Sequence, residues 1–269
     1  MYQENTPMKL YAIIALVLLS RCTTDISGRY DEINKIAQEA SMQEHIVYAA
    51  PFRSVYMTRI NNTGADANLY IEGDGLAWRN RITPASDPTP INPLALKLAA
   101  IDNATNVIYL ARPCQYMRIS KDGYCQKKYW TSHRFAPEVI SSMNEEIDTI
   151  KAKYHIKNFN LIGYSGGGAI AAIITAKRSD VISLRTVAGN LDHITLNKIH
   201  HVSQMPASLN AKDYAAKISN IPQIHFIGSD DNIVTKDVVD SYVLSAKSNS
   251  CIKEVMVPNT NHHKGWENA

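Results

Sequence analysis

The residues best suited by type to do chemistry are a serine set among glycines, two adjacent aspartates and two adjacent histidines. Gly163-Tyr164-Ser165-Gly166-Gly167 is entered from Phe159-Asn160-Leu161-Ile162 and left through Gly168-Ala169-Ile170-Ala171-Ala172-Ile173-Ile174. The first run reads as a strand and the second as a helix, so Ser165 occupies the turn between them. So sharp a turn crowds the backbone two residues before and two after the serine, where a residue without a side chain fits best. It also lifts the hydroxyl clear of the sheet, at a helix N-terminus whose free amides favour developing negative charge. A serine at its ordinary pKa is a weak nucleophile and needs a base to take its proton. Candidates for the base are His262 and His263, and for the acid behind it Asp230 and Asp231. The plain alternative is a glycine-rich turn with an inert serine, with either aspartate serving only as a helix cap.

These groups lie far apart in the chain, so a sheet must gather them. Helical character over 31–43 is followed by β-like runs at 45–48 and 53–60, the second with Ser54, Tyr56 and Thr58 alternating against Val55, Met57 and Arg59. A short apolar strand at 68–71 runs into Glu72-Gly73-Asp74-Gly75, a turn. Pro93 is expected to open a helix over 94–101, after a proline-rich loop at 84–93. The run 106–111 is apolar after Asn106, as in a strand buried on both faces. A helix over 141–154, begun near Pro137-Glu138, carries Met143, Ile147 and Ile150 on one face. Strands at 160–164, 181–187, 223–227 and 251–257 then alternate with helices at 166–177 and 236–247. This alternation predicts an α/β fold: a mostly parallel twisted sheet with helices on both faces. The stretch 190–220 is longer than a simple crossover and is expected to form a small lid-like insertion over the C-terminal edge of the sheet.

The strand–Gly-x-Ser-x-Gly–helix unit resembles the α/β-hydrolase fold, and the resemblance runs from about Phe52 to the C-terminus. That superfamily orders its triad Ser, Asp, His, with the acid after a later strand and the histidine after the last. Gly228-Ser229-Asp230-Asp231-Asn232-Ile233-Val234 is similar to its Gly-x-x-Asp-x-x-Val turn, a register that selects Asp231 over Asp230. Related-looking hydrolases place the base four residues before a tryptophan, which here picks His262 over His263 because Trp266 follows. The resemblance implies an oxyanion hole built from the amide of Gly166 and one from the loop at Glu72-Gly73-Asp74-Gly75, with Asp74 and Gly75 both open as the second donor. Glu72 departs from the family pattern, which has histidine there. The implied activity is serine hydrolysis of a small carboxylic ester or other acyl substrate through an acyl-enzyme, with no cofactor and no metal. A peptidase, an acyltransferase on the same triad and an inactive envelope binding protein are the alternatives.

With 269 residues, 45% of them hydrophobic, the chain can bury one sizeable core. The net charge of +3 comes without a Lys/Arg block, which argues against a nucleic-acid partner. The N-terminus is unlike the rest. Residues 10–19 are an unbroken apolar run behind Lys9, of secretory-leader length and too short for a comfortable membrane span. Leu19-Ser20-Arg21-Cys22 resembles a bacterial lipobox, although Arg21 stands where a small residue is usual. The expected organisation is therefore a leader over 1–22, a linker and helix over 23–51, and a hydrolase domain over 52–269. The product would be an exported envelope protein that meets the membrane through a lipid on Cys22. In that oxidising compartment Cys114 and Cys125 would pair and staple a short polar loop, leaving Cys251 as a buried free thiol. That stapled segment and 190–220 are expected to shape the pocket; Tyr116, Tyr124, Tyr129 and Trp130, in or beside the segment, could line it, although aromatics near a disulfide are more often packing residues.

Overall fold

Strand β5 (Phe159–Tyr164) lies in the interior of an eight-stranded sheet, and five of its six residues are buried, so it delivers Ser165 from a rigid floor. The computed structural model describes residues 26–117 and 123–268. The other strands are β1 (Gln43–Ala49), β2 (Phe52–Ile60), β3 (Ala67–Ile71), β4 (Asn106–Leu110), β6 (Val181–Val187), β7 (Gln223–Gly228) and β8 (Ile252–Val257). Their order is β1-β2-β4-β3-β5-β6-β7-β8, with β2 antiparallel to both neighbours and every pair from β4 to β8 parallel. Parallel strands need crossovers, and the helices that supply them cover both faces.

Alternation along each strand divides the core in two. On one face Leu69, Ile71, Ile108, Leu110 and Leu161 meet helices α3 (Pro137–Tyr154), α4 (Gly166–Thr175) and α6 (Lys236–Val243). On the other, Tyr70, Val107, Tyr109, Ile162 and Tyr164 pack against α1 (Ile26–Glu39) and α2 (Leu94–Ile101). Helix α4 is buried along its whole length, which its run of Gly, Ala and Ile allows.

Several expectations are corrected in detail. Helix α1 occupies Ile26–Glu39 rather than 31–43, because Gln43 already pairs with Thr58 in the sheet. The alternation read in 53–60 does not separate an inside from an outside: Ser54 to Met57 are all buried, since β2 lies between two strands with helices over it. Pro93 caps α2 from one residue outside it. Residues 190–220 fold into helix α5 (His193–Ile199) and a 3₁₀ turn (Ala211–Lys217), which pack beside α6 and against α4. Cys251 is only partly buried, because β8 is the edge strand and its residues are mostly half-exposed. Cys114 and Cys125 are joined in a disulfide with Cα atoms 5.5 Å apart. Cys22 and the leader lie outside the described residues.

Candidate active site

Ser165 sits between β5 and α4 with φ 50° and ψ −119°, a left-handed conformation that costs a non-glycine residue strain. The turn closes so tightly that a Cβ on Gly163 would lie 2.3 Å from the Gly167 carbonyl oxygen, and one on Gly167 would lie 2.3 Å from that of Ile71. The strain is held by backbone bonds: Ser165 N donates to the Val187 carbonyl at 2.9 Å, and its own carbonyl accepts from Gly168 N and Asn190 N. Ser165 stands at the N-cap of α4, where a serine hydroxyl usually caps the helix, yet it makes no such bond. Its Oγ lies 3.0 Å from His262 Nε2 instead.

His262 is buried in the loop after β8, and its Nδ1 lies 2.8 Å from Asp231 Oδ2. Two groups fix the imidazole through its backbone: Tyr164 OH and Trp266 Nε1 donate to the His262 carbonyl at 2.9 and 3.2 Å. The tryptophan four residues on therefore has a physical task, since its indole N–H anchors the loop that carries the imidazole. Asp231 follows β7, and its Oδ1 accepts from the amides of Ile233 and Val234 at 2.8 and 2.9 Å. Burial pushes this carboxyl upward, but the His262 bond, the imidazole charge and the two amides hold it below the ordinary carboxylate value. Asp231 does not cap α6; Thr235 holds that position. Asp230 points into solvent and accepts from Ser229 Oγ. His263 packs edge-on to His262 with ring centroids 5.0 Å apart, and burial followed by repulsion from His262 lowers its pKa.

Opposite the serine runs the loop after β3. Gly73 lies against Tyr164 and Ser165, and its amide donates to Glu72 Oε1 at 2.8 Å, so it is not free for a ligand. Gly75, at φ +64°, has no room for a side chain, since a Cβ there would lie 2.0 Å from the Pro88 carbonyl oxygen, and it lines the cleft together with Asp74. Asp74 is left nearest the elbow, its carboxylate against the α carbon of Gly166. That carboxylate accepts from Arg112 Nη1 at 3.0 Å and Arg134 Nη1 at 2.6 Å. Burial opposes its ionisation, but the Arg134 and Arg112 guanidiniums win and hold its pKa below the ordinary value. Glu72, in the place of the family's histidine, is fully buried, accepts from the Gly73 amide and the Tyr109 hydroxyl, and faces the amides of Ala95 and Leu96. Burial raises its pKa to about 7 even against those donors. Ala95 and Leu96 are in the first turn of α2, so Glu72 ties the loop to a helix N-terminus.

The cleft above Ser165 has a volume of about 410 Å³ and is walled by Leu76, Pro90, Ile91, Asn92 and His263. Asn92 Nδ2 donates to the His263 carbonyl at 3.0 Å, joining that wall to the histidine loop. Among the described residues, neither 190–220 nor the stapled segment lines this cleft, which corrects the expected pocket. Trp130 donates to the Ala85 carbonyl, and Tyr129 packs edge-on to Phe52, so both support the surrounding loops. Sequence reasoning missed Arg112, Arg134, Gln115 and the proline loop; nothing local in the chain marks them as partners of residues 73–92. Among the described residues, no group of three or more His, Cys, Asp or Glu is gathered as a metal site would need.

The family described as Serine hydrolase (FSH1) matches over residues 99–264. No curated protein matches the chain. Among solved structures, a bacterial membrane phospholipase A described as a virulence factor is 14% identical, with TM-score 0.56, over 88% of this chain and 84% of its own. The Pyrococcus furiosus esterase Pf2001 is 12% identical, with TM-score 0.58, over 84% and 86%. Est1E from Butyrivibrio proteoclasticus is 12% identical, with TM-score 0.56, over 84% and 93%. At such identities these likenesses speak for the fold, which is that of the α/β-hydrolases.

Proposed function

Because the chain belongs to the Serine hydrolase (FSH1) family, we propose that it hydrolyses small carboxylic esters, with Ser165 as nucleophile, His262 as base and Asp231 as orienting acid. One observation carries this reading: the unbroken relay from Ser165 Oγ through the His262 ring to Asp231, at 3.0 and 2.8 Å.

His262 Nε2 takes the Ser165 proton as Oγ attacks the ester carbonyl. Asp231 keeps Nδ1 protonated and stabilises the imidazolium that forms. The carbonyl oxygen, now negative, is received by the amides of Gly166 and Asp74. The first is a free first-turn amide of α4, and the second has no acceptor among the described residues. The Gly75 amide also lacks an acceptor among the described residues, and the packing of the Asp74 carboxylate against Gly166 favours Asp74 as the second donor. Removing one such donor typically costs about 3–4 kcal/mol of transition-state stabilisation. His262 returns the proton to the leaving alcohol, and water resolves the acyl-enzyme by the same route. The cleft volume of about 410 Å³ and its Leu76, Pro90 and Ile91 wall favour a compact ester with a short apolar arm. One fold neighbour is named as an esterase and one as a phospholipase A, which supports ester over peptide hydrolysis.

The Cys114–Cys125 disulfide supports export to an oxidising compartment, in keeping with a leader over 1–22 and lipid attachment at Cys22. The catalytic reading is tested on protein lacking residues 1–22, by fluorophosphonate labelling and p-nitrophenyl ester turnover. Labelling is expected in the wild type and in His263→Ala, and its loss in Ser165→Ala and His262→Ala. A folded wild type that neither labels nor turns over ester would refute it.

A further inference from the structure

In the loop from Glu72 to Leu76 the amides of Glu72, Gly73 and Leu76 are bound, while those of Asp74 and Gly75 have no acceptor among the described residues. Gly73 N is taken by Glu72, the Gly73 carbonyl accepts from Gln115 Nε2 at 2.9 Å, and Leu76 N donates to the Pro88 carbonyl at 3.0 Å. The Asp74 side chain is gripped by two guanidiniums, and both are themselves immobilised. Arg112 donates its Nη2 to the Arg134 carbonyl and lies over the Phe135 ring, its carbon Cζ 5.5 Å from the centroid. Arg134 Nε donates to the Thr131 carbonyl at 2.9 Å. The side chains of Arg112, Arg134 and Asp74 are only 5%, 17% and 15% exposed, so water and salt screen their charges weakly.

The placement of this cluster matters for the chemistry. A Cβ on Gly166 would lie 2.1 Å from Asp74 Oδ1, so a carboxylate presses on the residue whose amide is to receive the oxyanion. Alone, that carboxylate would oppose the negative charge that develops on the substrate. Two guanidiniums against one carboxylate reverse the sign. We infer that Arg112 and Arg134 are positioning residues for catalysis: they hold Asp74 so that its amide faces the reacting carbonyl, and they cancel its charge beside the oxyanion. The inference rests on the serine-hydrolase reading of Ser165. It differs from a stabilising ion pair in one respect: the arginines act on the transition state more than on the bound ester.

The test compares kcat, KM and the inhibition constant of an alkyl boronic acid, whose tetrahedral adduct mimics the oxyanion. The proteins are the wild type, Arg134→Met, Arg134→Lys and the double variant Asp74→Asn with Arg134→Met, with melting temperature as the folding control. In Arg134→Met, kcat is expected to fall by about 10- to 100-fold, less than or equal to the loss of a whole donor. KM stays within about threefold, and boronate binding weakens by the same factor as kcat. Arg134→Lys, which keeps the charge but not the fork, falls between. The double variant recovers several-fold over Arg134→Met, because no carboxylate is left to oppose the oxyanion. Should Arg134→Met not fold, Arg134→Lys alone and combined with Asp74→Asn carries the same comparison. Undiminished boronate affinity in a folded Arg134 variant, or a double variant no better than the single, overturns the inference while wild-type turnover keeps the catalytic reading. A wild type without labelling or turnover removes that reading and the inference together.

Discussion

Asp231→Asn tests the relay more sharply than a truncation, because the surroundings dictate how the amide must lie. Oδ1 of Asp231 accepts from the Ile233 and Val234 amides, and Oδ2 faces His262 Nδ1. An asparagine with its NH₂ toward those two backbone donors would leave both unpaired in a buried site, at about 1–3 kcal/mol each. Its oxygen therefore stays with Ile233 and Val234, and its NH₂ points at His262 Nδ1. The ring must then accept at Nδ1 and carry its proton on Nε2, so it donates to Ser165 Oγ where it should accept. The variant loses both the correct tautomer and the negative charge that stabilises the imidazolium. A loss of about 10⁴ in kcat is expected, equivalent to about 5–6 kcal/mol. Because the side chain is isosteric, the melting temperature should stay within a few degrees. The assay pairs p-nitrophenyl ester turnover with the rate of fluorophosphonate labelling, and Asp230→Asn serves as the control, unchanged within about twofold. An Asp231→Asn enzyme that keeps more than about a tenth of wild-type kcat would refute the assignment, as would an equal loss in Asp230→Asn.

Glu146, buried between α3 and β2 with both oxygens unpaired, has its pKa raised by burial to about 8 from an ordinary 4.5. Between those values the unfolded chain ionises first, so stability is lost as pH rises, by about 3 kcal/mol at pH 7. Glu146→Gln should remove that slope: the variant gains melting temperature over wild type at pH 8 but not at pH 5, and parallel curves would count against the buried acid. Cys125→Ser opens a crosslink between residues 11 apart in sequence, worth about 3 kcal/mol by loop closure. Its melting temperature should drop and no longer respond to dithiothreitol; an unchanged value would mean that the bond constrains nothing. Tyr164→Phe removes one of two donors to the His262 carbonyl. About 1 kcal/mol of stability should go with it, and kcat should fall a few-fold with the melting curve still cooperative.

What the sequence made legible follows the range over which each feature is determined. The turn at Ser165 is local: two glycines that close a strand onto a helix are readable without knowing what lies around them. The sheet was legible because buried parallel strands are continuous apolar runs, and the order of strands and helices left few topologies open. Asp231 and His262 needed the family register, but geometry supplies its reasons in the two amides at Asp231 and the Trp266 anchor under His262. The walls of the cleft were not legible. The lid expectation came from the length of 190–220, and length does not say where a segment packs; this one lies beside α6 and against α4. Likewise Arg112 and Arg134 lie 38 and 60 residues from Asp74, a pairing that only the closed sheet creates.

The oxyanion loop shows how a chain can depart from a family pattern and keep its geometry. Two carboxylates, Glu72 and Asp74, flank Gly73 where negative charge is least welcome to a reaction that builds an oxyanion. The fold disposes of each differently. Glu72 is sealed from water, its pKa is raised to about 7, and its oxygens face the amides of Gly73 and of the first turn of α2. It therefore crosslinks strand β3 to a helix N-terminus while carrying a charge that is suppressed by burial and offset by the helix dipole. Asp74 stays ionised, and its charge is outweighed by two guanidiniums. A neutral histidine at 72 would offer one acceptor nitrogen, whereas Glu offers two acceptor oxygens to the donors gathered there, the amides of Gly73 and of the first turn of α2 and the Tyr109 hydroxyl. The departure at Glu72 is thus tied to the helix placed behind it; the amides of Gly73 and Leu76 are engaged, and those of Asp74 and Gly75 have no acceptor among the described residues.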